Sequence, residues 1–327
     1  MPLRIMHIST RLILGGSQEN TVLSCEGQVR NGHAVSLVFG PIYGPEGSLL
    51  ERVRNFASGG RSIEPIETPR LVRELAPFKD WRCYHDLRRL VRDWQPDVVH
   101  THSSKAGIIG RMAAWKENVA AVIHTIHGLP FHPYEQKWRN AIYIASERYA
   151  AKRCHRILCV ADAMRDQALA VGIGQPEQYE TVYSGMETAA FLTPNWSREA
   201  VRRELGIRSD EFILGTIARL AELKGHDDLL DALAPLMRSR PAIRLLWVGD
   251  GWWRARLEER IAALGLKGRV ILTGLVPPDE VPKFLQAMDA LAHPSYREGL
   301  PRTVPQALLS GIPAIAYDVD GTSEVCR

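Results

Sequence analysis

Short apolar runs recur along this chain, and most are followed by a segment with helical spacing. This alternation constrains the fold more than any other feature. Parallel strands joined by helical crossovers must bury both faces of their sheet under those helices. In the first round, strands are expected over 4–9, 34–39, 98–101, 120–125 and 156–160, with helices over 18–31, 84–93 and 138–153. Residues 41–80, rich in Pro and Gly, have no clear pattern, and a turn-rich stretch over 183–194 closes the round. A second round follows, with strands over 212–218, 243–248, 270–273, 290–293 and 313–317. Its helices are expected over 227–237, 253–264, 278–287 and up to about residue 309. The expected class is therefore α/β, with two doubly wound Rossmann-like domains facing a cleft, 1–190 and 191–327. In such sheets ligands bind beyond the carboxyl ends of the strands.

The composition narrows the functional classes. A net charge of +4 is too mild to imply nucleic acid as a partner, and no RNA-binding or zinc-finger spacing is present. Cys25, Cys83, Cys154, Cys159 and Cys326 are scattered and odd in number, as expected for reduced thiols in a cytoplasmic protein. Arg4, His7 and Arg11 interrupt the first apolar stretch, which therefore does not read as a signal peptide. No apolar run approaches the ~18 residues that span a bilayer.

The richest motif is Tyr296-Arg297-Glu298-Gly299-Leu300-Pro301, with Gln306 beyond it. It joins a carboxylate, a flexible turn and a helix start. Pro301 suits the first helical position. The backbone amides of Gly299, Leu300 and Pro301's neighbours suit a phosphate, and Glu298 can accept bonds from sugar hydroxyls. A nucleotide sugar is anionic at one end and polyhydroxylic at the other. Arg219 and Lys224 follow another strand and can clamp a diphosphate, as a planar fork and a mobile point charge. Gly249-Asp250-Gly251 reads equally as an ordinary turn. Backbone groups around Thr273-Gly274-Leu275-Val276 can meet a flat base or form a plain loop.

In the first half, Gly15-Gly16 lies between a strand and a helix, where backbone can approach a ligand closely. It lacks the spacing of a dinucleotide fingerprint, and the chain has no P-loop. His100, His102, His124, His127 and His132 gather around two strand ends. They can bind a metal, since His-x-His on a strand aims both rings the same way, or one can contact a reacting sugar and share a proton. His127, ahead of Gly128, is best placed to face the cleft. Asp318-Val-Asp320 resembles a short metal-binding pattern but follows the last strand of the second round and is read as a loop. In the helix over 138–153, Trp138, Ile142, Ala145 and Tyr149 form an apolar stripe expected to face the core. Lys137, Arg148, Lys152 and Arg156 would then make a solvated basic face, or at a membrane a contact with anionic lipid.

Taken together, these motifs resemble the retaining family-4 glycosyltransferases (glycosyl transferases group 1) of the GT-B fold, along nearly the whole chain. The resemblance rests on Gly15-Gly16 with Gly32-His33, the segments 99–107 and 124–128, Arg219 with Lys224-Gly225, 298–306 and 318–324. It implies transfer of a sugar from a UDP- or GDP-sugar to a glycan or lipid-linked acceptor, with no metal and no cofactor. Arg219 and Lys224 would stabilise the leaving diphosphate, helped by Gly16 and by amides near Gly299–Pro301. Glu298 and His127 would position the sugar, and Gln306, where the family has a second Glu, would face the ribose. The family continues through helices beyond the position of Arg327, so the second domain is expected to lack its C-terminal helices. A location at the inner face of the cell membrane would suit a lipid-linked acceptor.

Overall fold

The computed structural model describes residues 1–44 and 46–326. Its first unit comprises Met1–Tyr43 and Gly47–Gly185; the second comprises Gly44–Glu46 and the described residues from Met186 onward. The first holds β1 (Arg4–Ser9), β2 (Ala34–Phe39), β3 (Ala57–Ser58), β4 (Arg61–Glu67), β5 (Val98–His102), β6 (Ala121–Ile126), β7 (Arg156–Cys159) and β8 (Tyr179–Thr181). These form one sheet in the order β3-β4-β2-β1-β5-β6-β7-β8, parallel except for the β3/β4 pair. The second unit holds β9 (Phe212–Ile217), β10 (Ile243–Val248), β11 (Val270–Leu272), β12 (Ala290–His293) and β13 (Ala314–Ala316). They form a parallel sheet in the order β11-β10-β9-β12-β13.

Each sheet starts in its middle, winds to one side, then returns to the other. The reversal lies between β1 and β5 in the first unit and between β9 and β12 in the second. Crevices at such reversals take ligands in open α/β sheets. Both faces are covered, as the apolar strands require. On the first sheet, Met6, Ile8, Val38, Val99 and Val122 pack with Leu87, Val91 and Ala113, while Val35, Leu37 and Phe39 pack with Val22, Cys25 and Val29. Each buried aliphatic side chain contributes roughly 1.5–3 kcal/mol. All five cysteines are free.

Several local features depart from expectation. β4 lies in the unassigned stretch, and Pro65, opposite Leu37, supplies no N–H to the ladder. It is tolerated because β3 pairs only with Arg61 and Ser62, leaving Pro65 on an open edge. The helix Ser104–Lys116 is not among the expected elements. Pro301 stands ahead of its helix, which runs Thr303–Leu309 with Arg302 as N-cap. At seven residues this helix has little dipole to offer. Finally, the helix Lys137–Ala151 turns its expected core stripe outward: Trp138, Ile142, Ala145 and Tyr149 are exposed. Its buried side carries Glu147, Ala150 and Ala151, because Glu147 pairs with the buried Arg111.

Candidate active site

In the second unit, the loops after β9 and β12 are fastened together at the sheet's reversal. Leu223 has a φ of 63°, uncommon for a branched side chain, and its carbonyl accepts the Tyr296 N–H at 3.0 Å. Gly225 has a φ of 70°, and a Cβ there would lie 2.0 Å from the Pro294 carbonyl oxygen. Only glycine permits that approach. Lys224 is thereby carried to Glu298, with Nζ 2.5 Å from Oε1. His293, the last residue of β12, brings Nε2 to 3.2 Å from the same oxygen, while its Nδ1 lies 3.2 Å from Thr303 Oγ1. The Glu298 N–H donates to the Asp320 carboxylate at 2.7 Å, and the Gly321 N–H donates to the Gly299 carbonyl at 3.2 Å.

The Glu298 side chain is only 14% exposed. Burial alone would raise its pKa, but Lys224 and His293 overcome this and hold the carboxyl well below the usual carboxylate range. The carboxylate thus stays ionised. Its depressed pKa contributes stability that is present above the ordinary carboxylate range and is lost only as pH falls through the lower folded-state value. A fixed carboxylate accepts hydroxyl hydrogens and a neighbouring ammonium attracts phosphate oxygens, so the pair can hold both ends of a sugar phosphate. Arg219, 46% exposed, pairs through Nη1 with Glu46, a buried carboxylate of the short segment joined to this unit. That pairing occupies one edge of a group with five donors. Gly249 and Gly251 are structural: a Cβ at either would meet the backbone of Ala218 or Leu220, at 2.2 and 2.4 Å.

In the first unit the strand order brings His7 of β1 directly beside His100 of β5, with His102 two residues further on the same face. Their ring centroids lie 4.3–5.1 Å apart, so His100 and His102 do aim the same way. His7 Nδ1 is 2.9 Å from His102 Nε2, and His102 Nδ1 is 3.0 Å from His127 Nε2. His7 Nε2 lies 2.7 Å from Gln28 Oε1, and His100 Nε2 lies 2.7 Å from Thr125 Oγ1. Burial lowers His7 to about 4 and takes His100 and His102 well below the ordinary histidine value, so all three rings are neutral at neutral pH. His124 is not part of this group. It faces the other side of the sheet, bonded to Thr101 Oγ1 at 2.9 Å, under Gly107. His132 lies in the following loop, where its backbone pairs with Asn140.

His7, His100 and His102 place ligand atoms within 4.8 Å of one another, a spacing a metal ion can use. Both nitrogens of His7 and both of His102, however, already lie at hydrogen-bond distance from other side chains. A metal would have to displace those bonds.

Residues 14–190 match Glycosyltransferase Family 4, and residues 197–327 match Glycosyl transferases group 1. The chain belongs to glycosyltransferase family 4. A relative from Escherichia coli, the UDP-Gal:alpha-D-GlcNAc-diphosphoundecaprenol alpha-1,3-galactosyltransferase, is 27% identical over 80% of this chain and 68% of its own length. The alpha-monoglucosyldiacylglycerol synthase of Streptococcus pneumoniae is 26% identical over 73% of this chain and 57% of its own length. Several relatives therefore extend well beyond the matched region. The crystal structure of HepE from Anabaena in complex with UDP and glucose matches with a TM-score of 0.80 at 19% identity, over 99% of this chain and 83% of that one. Together with the two wound sheets, these matches establish the GT-B fold.

The candidate sites of the two units each collect some expected residues and add others. Lys224 and Glu298 meet, with Gly299 and Leu300 partly exposed next to them and Pro301 and Gln306 buried. Gly16 opens the helix Gly16–Arg30 at the β1 end. Val276 is partly buried and packs against the hydrophobic core of the second unit. His293, Asp320, Glu46, His7 and Gln28 were not among the sequence candidates. Of these, Asp320 lay in a noted motif, and its role proves to be anchoring the Glu298 backbone.

Proposed function

We propose that this chain transfers a sugar from a UDP- or GDP-sugar to a glycan or lipid-linked acceptor with retention of anomeric configuration, in the synthesis of cell-surface polysaccharide or glycolipid. The half-buried Lys224–Glu298 pair carries the reading, because it joins a phosphate-seeking cation to an ionised carboxylate that can accept from sugar hydroxyls at the sheet's reversal. Lys224 and Arg219 stabilise the diphosphate as negative charge develops on it. Amides around Gly299–Pro301 and at Gly16 assist, Glu298 holds the sugar hydroxyls, Gln306 meets the ribose, and the Val276 backbone meets the base. His127 contacts the sugar near its anomeric carbon. In retention the acceptor attacks on the face from which the diphosphate departs. The activity of the E. coli relative supports a UDP donor and a lipid-linked acceptor. The test is nucleotide release from a panel of UDP- and GDP-sugars: release above background from at least one is expected. Release from none, also with lipid-linked acceptors added, contradicts the proposal.

We further propose that the first unit contacts anionic lipid. Exposed Trp138, Ile142 and Tyr149 lie on the helix that carries Lys137, Arg139 and Arg148, with Lys152, Arg153 and Arg156 just beyond. Its one acidic residue, Glu147, is turned inward to Arg111. Each basic residue near such a surface contributes about 1 kcal/mol, and aromatic side chains suit the interface. Among the described residues no helix is long and apolar enough to cross a membrane. The chain is expected to float with phosphatidylglycerol vesicles at low salt and to be released by salt or by Trp138→Ala combined with Lys152→Glu. Absence of binding at low salt would refute the lipid contact.

A further inference from the structure

The hydrogen bonds through the buried histidines form one continuous line, Gln28–His7–His102–His127. We propose that Gln28, acting through His7 and His102, fixes the tautomer of His127, so that Nε2 carries the inward proton and Nδ1 is the ring's acceptor. A neutral imidazole has one donor and one acceptor nitrogen, so each bond in such a line dictates the next. Gln28 presents Oε1 to His7, which can only accept, so His7 Nε2 holds the proton and His7 Nδ1 accepts. His102 must then donate from Nε2 and accept at Nδ1. His127 therefore donates from Nε2. Turning the Gln28 amide over would reverse every bond and move the His127 proton to Nδ1.

Several features keep the line intact. The β1/β5 register fixes His7 beside His100, and the ring planes of His7 and His102 lie within 10° of parallel. Burial keeps the inner rings neutral, so none can donate from both nitrogens. His100 is tied separately to Thr125. His127 itself borders a surface pocket of the first unit with Ser103, Ser104, Thr125 and Gly128. In the transferase reading, on which this inference rests, the Nδ1 tautomeric state decides whether His127 accepts a hydrogen bond from the sugar or donates one. Gln28, His7 and His102 are positioning residues: they act through His127.

Long-range 1H–15N correlation spectra of the 15N-labelled chain read each tautomer directly, with His127 assigned by its loss in His127→Asn. Wild type and Gln28→Glu, whose carboxylate can only accept, should both show His127 protonated at Nε2. Gln28→Leu should give a mixture of tautomers with an otherwise unchanged amide spectrum. Its turnover should fall about tenfold or more, in keeping with a misdirected proton partner, with less effect on donor KM. A wild-type His127 protonated at Nδ1, or a His127 signal indifferent to Gln28→Leu, overturns the proposal. Stoichiometric zinc uptake that shifts His7, His100 and His102 together would also overturn it, in favour of a metal site. A tautomer that follows Gln28 in a chain that turns over no nucleotide sugar would uphold the relay and defeat the transferase reading.

Discussion

Glu298→Ala and Lys224→Ala are each expected to lower turnover by about 10²–10³-fold, the usual loss when one preorganised charge or donor is removed from a site that stabilises a departing anion. The two should fail differently. Glu298→Ala removes the proposed anchor of the sugar and leaves Lys224 and His293 without their shared carboxylate. Lys224→Ala removes the leaving group's cation and also the charge that holds the Glu298 carboxyl low. Burial then acts on Glu298 with less opposition, and its pKa rises. Residual activity of Lys224→Ala should therefore fall further as pH is lowered toward the acid range, whereas the wild type should not show that loss. Glu298→Gln separates shape from charge: it should retain the fold yet remain far below wild type. Steady-state nucleotide release, with circular dichroism as a check on folding, measures all three. Near-normal rates for both alanine variants would break the site assignment.

Glu147→Ala should cost about 3–5 kcal/mol of stability in the first unit, because it strands a buried guanidinium. Arg111 and Glu147 pair at 2.5 Å with side chains 1% and 6% exposed, and Arg111 Nε donates to the Gly107 carbonyl at 2.8 Å. Arg111 is fully buried, so the lost carboxylate leaves its charge without an ionic partner in the interior. The double variant Arg111→Met/Glu147→Leu removes both charges and should recover most of the loss, since a buried ion pair and apolar residues of similar size differ little in stability. Urea unfolding followed in the transition of the first unit tests this. A Glu147→Ala loss below about 1 kcal/mol, or a double variant no better than the single, would contradict it.

The second sheet was the most legible part of the fold. Ile243–Val248 and Ala290–His293 fall where the apolar runs place them, because fully buried parallel strands need an unbroken apolar sequence. β4 was hidden by Glu64, Pro65 and Glu67, which an open edge tolerates. The helix Ser104–Lys116 was hidden by Gly107 and Gly110, which weaken a helical pattern. Both are small because Cβ atoms there would lie 2.5 Å from the His124 ring and 2.8 Å from the Thr101 methyl. The stripe through Trp138 and Tyr149 had the right period and the wrong direction, since the Arg111–Glu147 pair outweighs it. His7 and Gln28 could not be found from the sequence, because nothing local says that β1 lies beside β5. The same holds for His293 and Asp320, which join Glu298 only through the order of β12 and β13. Lys224 and Glu298, by contrast, were legible from the motifs that surround them.

The most direct measurement is the anomeric configuration, by 1H NMR, of the glycoside formed from α-linked UDP-galactose or UDP-glucose and their GDP counterparts on a GlcNAc-diphospholipid acceptor. An α-linked product, formed by the wild type and reduced at least a hundredfold by Glu298→Ala, is expected. A β-linked product would contradict retention, and an α-linked product formed equally well by Glu298→Ala would contradict the site.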